Sequence, residues 1–130
     1  MSHAAAAKAA LAKLEGADLD QLKDRVKPSA HVWQQYLRFL ALKAGVQDWY
    51  VPAISPPAEV DALWHAHILD TRSYRDTCEL LGQFVHHDPD GGDDPNARAR
   101  RRLLALKMYE EAWGTAPEMW KVQEVGGRRA

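Results

Sequence analysis

Residues 61–70 read "DALWHAHILD" and residues 86–94 read "HHDPDGGDD"; together they hold four of the six histidines of a 130-residue chain. The first stretch decides the fold. Its apolar residues recur at helical spacing, and Val60, Trp64, His67, Thr71, Tyr74, Cys78 and Leu81 fall along one seam. A helix turns about 100° per residue, so positions two apart lie on nearly opposite faces. His65 and His67 therefore diverge if the helix is regular, and the i,i+4 partner of His65 is Asp61. His67 falls in the middle of the core seam, where a buried histidine bonded to a carbonyl or to Asp70 is the simpler account.

Working outward, the same period repeats and no stretch alternates with period two, so strands are not expected. A first helix is predicted from about Ala4 to Glu15, stopped by Gly16. Leu19, Leu22 and Val26 mark a short amphipathic piece that ends before Pro28, so residues 1–27 form an N-terminal helical segment. Ser29 is placed to cap the helix "AHVWQQYLRFLALKAG", which Gly45 closes. Ser55 and Pro56 form a capping pair before the histidine helix. Asp94 and Pro95 start the last long helix, Gly114 ends it, and residues 126–130 form a disordered tail. The expectation is all-α: a single compact domain of four to five helices spanning residues 1–130.

Reach decides whether the two histidine clusters can meet. In a helix unbroken from Pro56 to Leu81, His65 lies about 24 Å from the end, at about 1.5 Å per residue. Five extended residues, Gly82 to His86, cover at most about 17 Å. A break near "LDTRS" removes the conflict. Asp70 is a competent N-cap for a fresh helix, and Thr71, Arg72 and Ser73 are mediocre helix formers. The break is the favoured reading.

Composition excludes several function classes. The net charge of −1 offers no global field for nucleic acid or membrane. No apolar run approaches the roughly 20 residues needed to span a bilayer. The N-terminus lacks the apolar stretch and cleavage site of a signal peptide, so a cytoplasmic location is expected. The single cysteine, Cys78, leaves no intrachain disulfide and no all-cysteine zinc site.

If a metal binds, its ligands would be imidazoles with one carboxylate, a set that suits zinc or iron(II). The candidates are Asp61, His65, His67, His86 and His87, three or four of which would be used. Trp64, Asp70, Tyr74 and Cys78 would line the site or support its ligands, with core packing the plainer account of Tyr74 and Cys78. A metal-free alternative makes Asp61 and His65 a general-base pair. A Cys78 nucleophile is disfavoured by its place in a helix interior. The acidic loop fails the calcium-loop template, because Asp93 stands where glycine is needed and Ala99 where glutamate is needed. The run "RARRR", Arg98 to Arg102, reads as a solvated face partly paired with the aspartates of Asp88 to Asp94, which disfavours nucleic acid. Trp33, Trp49, Trp113 and Trp120 pack the helices or, alternatively, wall an apolar pocket above the histidines.

The pattern "VDALWHAHILDTRSYRDTCELLG", followed by "HH" and a proline, resembles the glycine-rich domain-containing protein-like family of plants and bacteria. The resemblance rests on Asp61, Trp64, His65, His67, Tyr74 and Cys78, and extends more loosely from about Trp33 to Trp113. That family often has proline at the position of Thr71, which implies a break after Asp70. The glycine-rich tail is missing here, so the resemblance implies a stand-alone copy of the helical module. The leading expectation is a metal-binding domain, with a small metal-dependent enzyme acting on a small molecule or peptide as one form of it. Its rival is a protein-interaction module in which Trp-His-x-His is structural.

Overall fold

The computed structural model describes residues 2–50, 52–87 and 94–122. Six α-helices and a 3₁₀ turn occur among them, with no strand: α1 (His3–Glu15), α2 (Asp20–Val26), α3 (Ala30–Gly45), α4 (Ala58–Leu69), α5 (Thr71–Leu81), α6 (Pro95–Trp113) and the turn Glu118–Trp120. The all-α class is as expected. The count exceeds four to five, because the 20–26 piece is a helix in its own right and the histidine segment splits in two. The acidic turn at 88–93 and the tail at 126–130 lie outside the described residues. Among the described residues no helix is long and apolar enough to cross a membrane.

Helix α3 is the axis of the fold, packing on α1, α4 and α6. Its apolar stripe supplies Tyr36, Leu37, Phe39, Leu40 and Leu42 to a continuous core that also takes Leu14, Trp64, Tyr109 and Trp120. At each burial of about 1.5–3 kcal/mol, such side chains dominate the driving force. Ser29 caps α3 as expected, its Oγ accepting from Val32 N–H at 3.1 Å. Ser2 does the same for α1, accepting from Ala5 N–H at 3.0 Å.

The alanine-rich face of α1 gives little to bury but permits close approach. A Cβ at Gly45 would lie 2.9 Å from His3 O and 3.1 Å from Ala7 Cβ. That crossing fixes where α3 ends, and so where the loop toward the site departs.

Buried polar groups pin the remaining elements to α3. Gln35 Oε1 accepts from Tyr109 Oη–H at 2.7 Å and from Trp120 Nε1–H at 2.8 Å, docking α6 and the 3₁₀ turn. Lys43 is 2% exposed and donates to Asp48 Oδ2 at 2.9 Å. The same carboxylate oxygen accepts the N–H groups of Ala53 and Ile54 at 2.9 and 3.1 Å. A charge removed from water is tolerated only when paired and hydrogen-bonded, and this knot holds the 48–54 loop against α3.

The start of α4 differs from expectation. The helix begins at Ala58 with Pro57 at its N-cap, and no side chain caps it. Pro57 pushes the preceding Pro56 out of the helical region, so the helix cannot start at Pro56 with Ser55 as its cap. Ser55 is then free of the capping role, and its Oγ accepts from Arg101 Nε–H at 2.9 Å. The break after Leu69 occurs as the reach argument requires. Asp70 sits at the junction with φ −88° and ψ 79°, yet its carboxylate makes no cap bond. It lies 3.8 Å from the Arg25 guanidinium, which also donates to Ala66 O at 3.3 Å. The opposite charge of α2 draws the carboxylate away from the α5 N-terminus.

Replacing Gly45 with alanine forces backbone against backbone and is expected to destabilise the fold by about 1–3 kcal/mol. A denaturant midpoint unchanged from the parent's would overturn the close α1–α3 crossing.

Candidate metal centre

Helix α5 ends at Gly82, whose φ of 101° is left-handed. Gly82 N–H and Gln83 N–H both bond to Cys78 O, at 3.0 and 3.2 Å, and turn the chain back toward α4. Four further bonds lay residues 83–87 down as a strap. Trp64 Nε1–H donates to Tyr74 Oη at 3.0 Å, and Tyr74 donates onward to Val85 O. Val85 N–H donates to Cys78 Sγ at 3.4 Å. His86 N–H donates to Trp49 O at 2.9 Å. The strap thereby delivers His87 to the exposed face of α4.

Asp61, His65 and His87 meet there. The His65 and His87 Nε2 atoms are 2.8 Å apart, so one ring donates to the other. Asp61 Oδ1 lies 3.0 Å from His87 Nε2, and its Oδ2 lies 3.5 Å from His65 Nε2. The three ligand atoms fall within 4.8 Å of one another. Donors about 2.05 Å from a tetrahedral zinc stand roughly 3.3 Å apart, so small shifts would seat an ion. The His87 ring rests edge-on to Trp64, with centroids 4.3 Å apart, which fixes its orientation.

The other candidates lie elsewhere. His67 is fully buried, on the opposite face from His65. Tyr36 Oη is 2.7 Å from its Nδ1 and Ser73 Oγ is 3.0 Å from its Nε2. Burial first, against the partial opposition of Asp70, pushes its pKa down to about 4. Burial also raises the Tyr36 phenol, which keeps its proton, and the His67 tautomer sets which of the two donates. His67 is thus a neutral, satisfied strut between α3, α4 and α5, buried as the simpler account had it but bonded to Tyr36 and Ser73 and not to a carbonyl or Asp70. His86 borders the cleft described below, but its ring stacks on Tyr50 at 5.1 Å and meets Phe84 at 4.8 Å. Among the described residues, neither His67 nor His86 joins the cluster of potential ligands.

Trp64 lines the site and positions His87, whereas Asp70 is at the far end of α4. Tyr74 acts one step back, through Val85. Burial raises the Cys78 thiol, partly offset by the Val85 N–H, which leaves it a poor nucleophile.

A cleft of about 370 Å³ opens beside the cluster. Asp61, Trp64, His65 and His87 form one side, and Arg98, Arg101 and Arg102 of α6 contribute to its lining, with Lys43 also at its wall. The other tryptophans pack against the core, as their plainer account had it, while the expectation for the arginines changes. Trp33, Trp49, Trp113 and Trp120 do not line it, and the arginine run is not simply a solvated face, because Arg101 and Arg102 are half-buried. Lys43 and the arginines were missed as site residues. A lysine in the apolar stripe of α3, three positions after Leu40, was the one local signal.

No family model matches this chain, and neither the curated proteins nor the solved structures yield a match.

Two outcomes test this geometry. Tyr74→Phe leaves the Trp64 N–H and Val85 C=O without their partner and is expected to cost about 1–3 kcal/mol, loosening the strap that carries His87. Unchanged stability, with unchanged amide protection of residues 83–87, would refute the linkage. For His67, the folded pKa of about 4 lies below the unfolded value of about 6.5. Its contribution is full above about pH 6.5, falls as pH drops and is gone below about 4, for a loss on the order of 3 kcal/mol. His67→Gln should flatten the stability curve between pH 6.5 and 4.5 relative to the parent; parallel curves would contradict a neutral buried ring.

Proposed function

We propose that this chain is a metal-binding helical domain whose ligands are Asp61, His65 and His87, working as a small metal-dependent enzyme on a small molecule or peptide. The observation that carries the reading is the convergence of three donor atoms, from α4 and the strap, at the rim of a cleft. Two imidazoles and one carboxylate suit zinc, or iron(II) in a facial two-histidine-one-carboxylate set. Three protein ligands leave a coordination position for water or substrate, and a metal there would lower the pKa of bound water and polarise a substrate oxygen. The protein's own part is to hold the imidazoles, through the Trp64 contact and the Tyr74–Val85 bond, and to shape the cleft.

The likeness of Asp61, Trp64, His65, His67, Tyr74 and Cys78 to the glycine-rich domain-containing protein-like family belongs to this reading. A cytoplasmic setting fits it. A second reading has one observation in its favour: His87 Nε2 lies within hydrogen-bond distance of both His65 Nε2 and Asp61 Oδ1, as in the knot of a non-catalytic interaction module.

Metal content separates the two. Tag-free protein dialysed against zinc or iron(II) is expected to retain about one equivalent and to gain about 2.7 kcal/mol of stability when free metal reaches 100 times its Kd. The His65→Ala, His87→Ala double variant should retain none, and His86→Ala should match the parent. A parent that takes up no metal and shows no thermal shift would overturn the metal centre and leave the structural knot.

A further inference from the structure

The outer face of α6 carries a pattern that the fold leaves unused. At about 100° per residue, Arg100, Leu104, Lys107 and Glu111 fall within about 60° of one another, and Leu103 flanks them. The buried Ala105, Tyr109 and Ala112, which face the core, lie on the other side of the helix. Leu103 is 52% exposed and Leu104 38%, and Arg100, Lys107 and Glu111 are exposed with them. None of these three charges makes an ion pair among the described residues. An isolated surface leucine is ordinary. Here two are adjacent, with an unpaired cation at one end of the stripe and an unpaired anion at the other.

We infer that this face receives a second copy of the chain, the two α6 helices packing antiparallel about a twofold axis. The order of the stripe decides the partner. Running from cation through leucines to anion, it is its own complement when reversed. With the axis between Ala105 and Leu106, Arg100 stands level with Glu111 of the second copy, Leu103 with Met108, and Leu104 with Lys107. A twofold contact uses the same patch on both copies, so the two Arg100–Glu111 pairs form together. Parallel packing would set Arg100 against Arg100 and Glu111 against Glu111, and facing like charges oppose association. Lys107 covers Leu104 with its aliphatic stem while its ammonium stays in water. Apolar burial at 103, 104 and 108 supplies the attraction, and the charge pairs fix direction and register. The stripe is about 16 Å long, a small interface, so the dimer is weak, with a Kd on the order of 100 µM. The contact lies on the far side of α6 from Arg98 and Arg102, so it stands or falls independently of the metal centre.

The test is sedimentation equilibrium of the full chain from about 10 µM to about 1 mM, with chelator present so that no metal bridges two copies. The weight-average mass is expected to rise with concentration from the 14.6 kDa of one chain toward twice that value. Arg100→Glu and Glu111→Arg are each expected to weaken the dimer about tenfold. Both changes in one chain should restore the parent affinity, because the reversed pair is again complementary. Replacing Leu103 and Leu104 together with serine should abolish the dimer. All four positions are exposed, so the variants keep the fold, which far-ultraviolet circular dichroism checks. A parent that stays at 14.6 kDa throughout overturns the inference. A dimer indifferent to the charge reversals or to the loss of both leucines, or one that the double reversal fails to restore, overturns the antiparallel α6 contact.

Discussion

The hydrogen-bond chain from Trp64 through Tyr74 to Val85 is the constraint on which the site depends. Trp64 belongs to α4, Tyr74 to α5 and Val85 to the strap, so two bonds through one hydroxyl tie three segments together. All three residues are buried, where an unmade bond costs more than a made one gains. The strap therefore has essentially one position, and His87, two residues beyond Val85, is carried over Asp61 and His65. Without that chain the two histidine clusters would be separate polar patches on one surface.

The two histidines of Trp-His-x-His show how helix geometry divides labour. Two positions of separation turn one imidazole inward and the other outward. The inward ring, His67, is held neutral by burial and braces three helices through Tyr36 and Ser73. The outward ring, His65, keeps the accessibility that a ligand requires, its side chain 54% exposed. The motif thus braces the core on one face and offers an accessible imidazole on the other.

A parallel division runs through the polar core. Gln35, Lys43 and Asp48 occupy positions where apolar residues would pack as well, yet each satisfies groups from another element. Apolar contacts alone tolerate sliding. Directional bonds at these points set the register of α6 and of the 48–54 loop, and with it the walls of the cleft.

The sequence by itself determined the helical class, the capping of α3 by Ser29 and the divergence of His65 and His67, and it favoured a break near "LDTRS". Each follows from local periodicity, backbone propensity or chain reach, which act between near neighbours. Tertiary structure alone decided the rest: that His87 and not His86 meets Asp61 and His65, that Asp70 faces Arg25 instead of capping α5, and that α6 brings arginines to the cleft. Ser55 shows the limit plainly. Its local context marks it as a cap, but Pro57 delays the helix and Arg101, 46 residues away, claims its hydroxyl. These outcomes depend on which helix faces pack together, and no spacing within a single segment encodes a partner that distant in the chain.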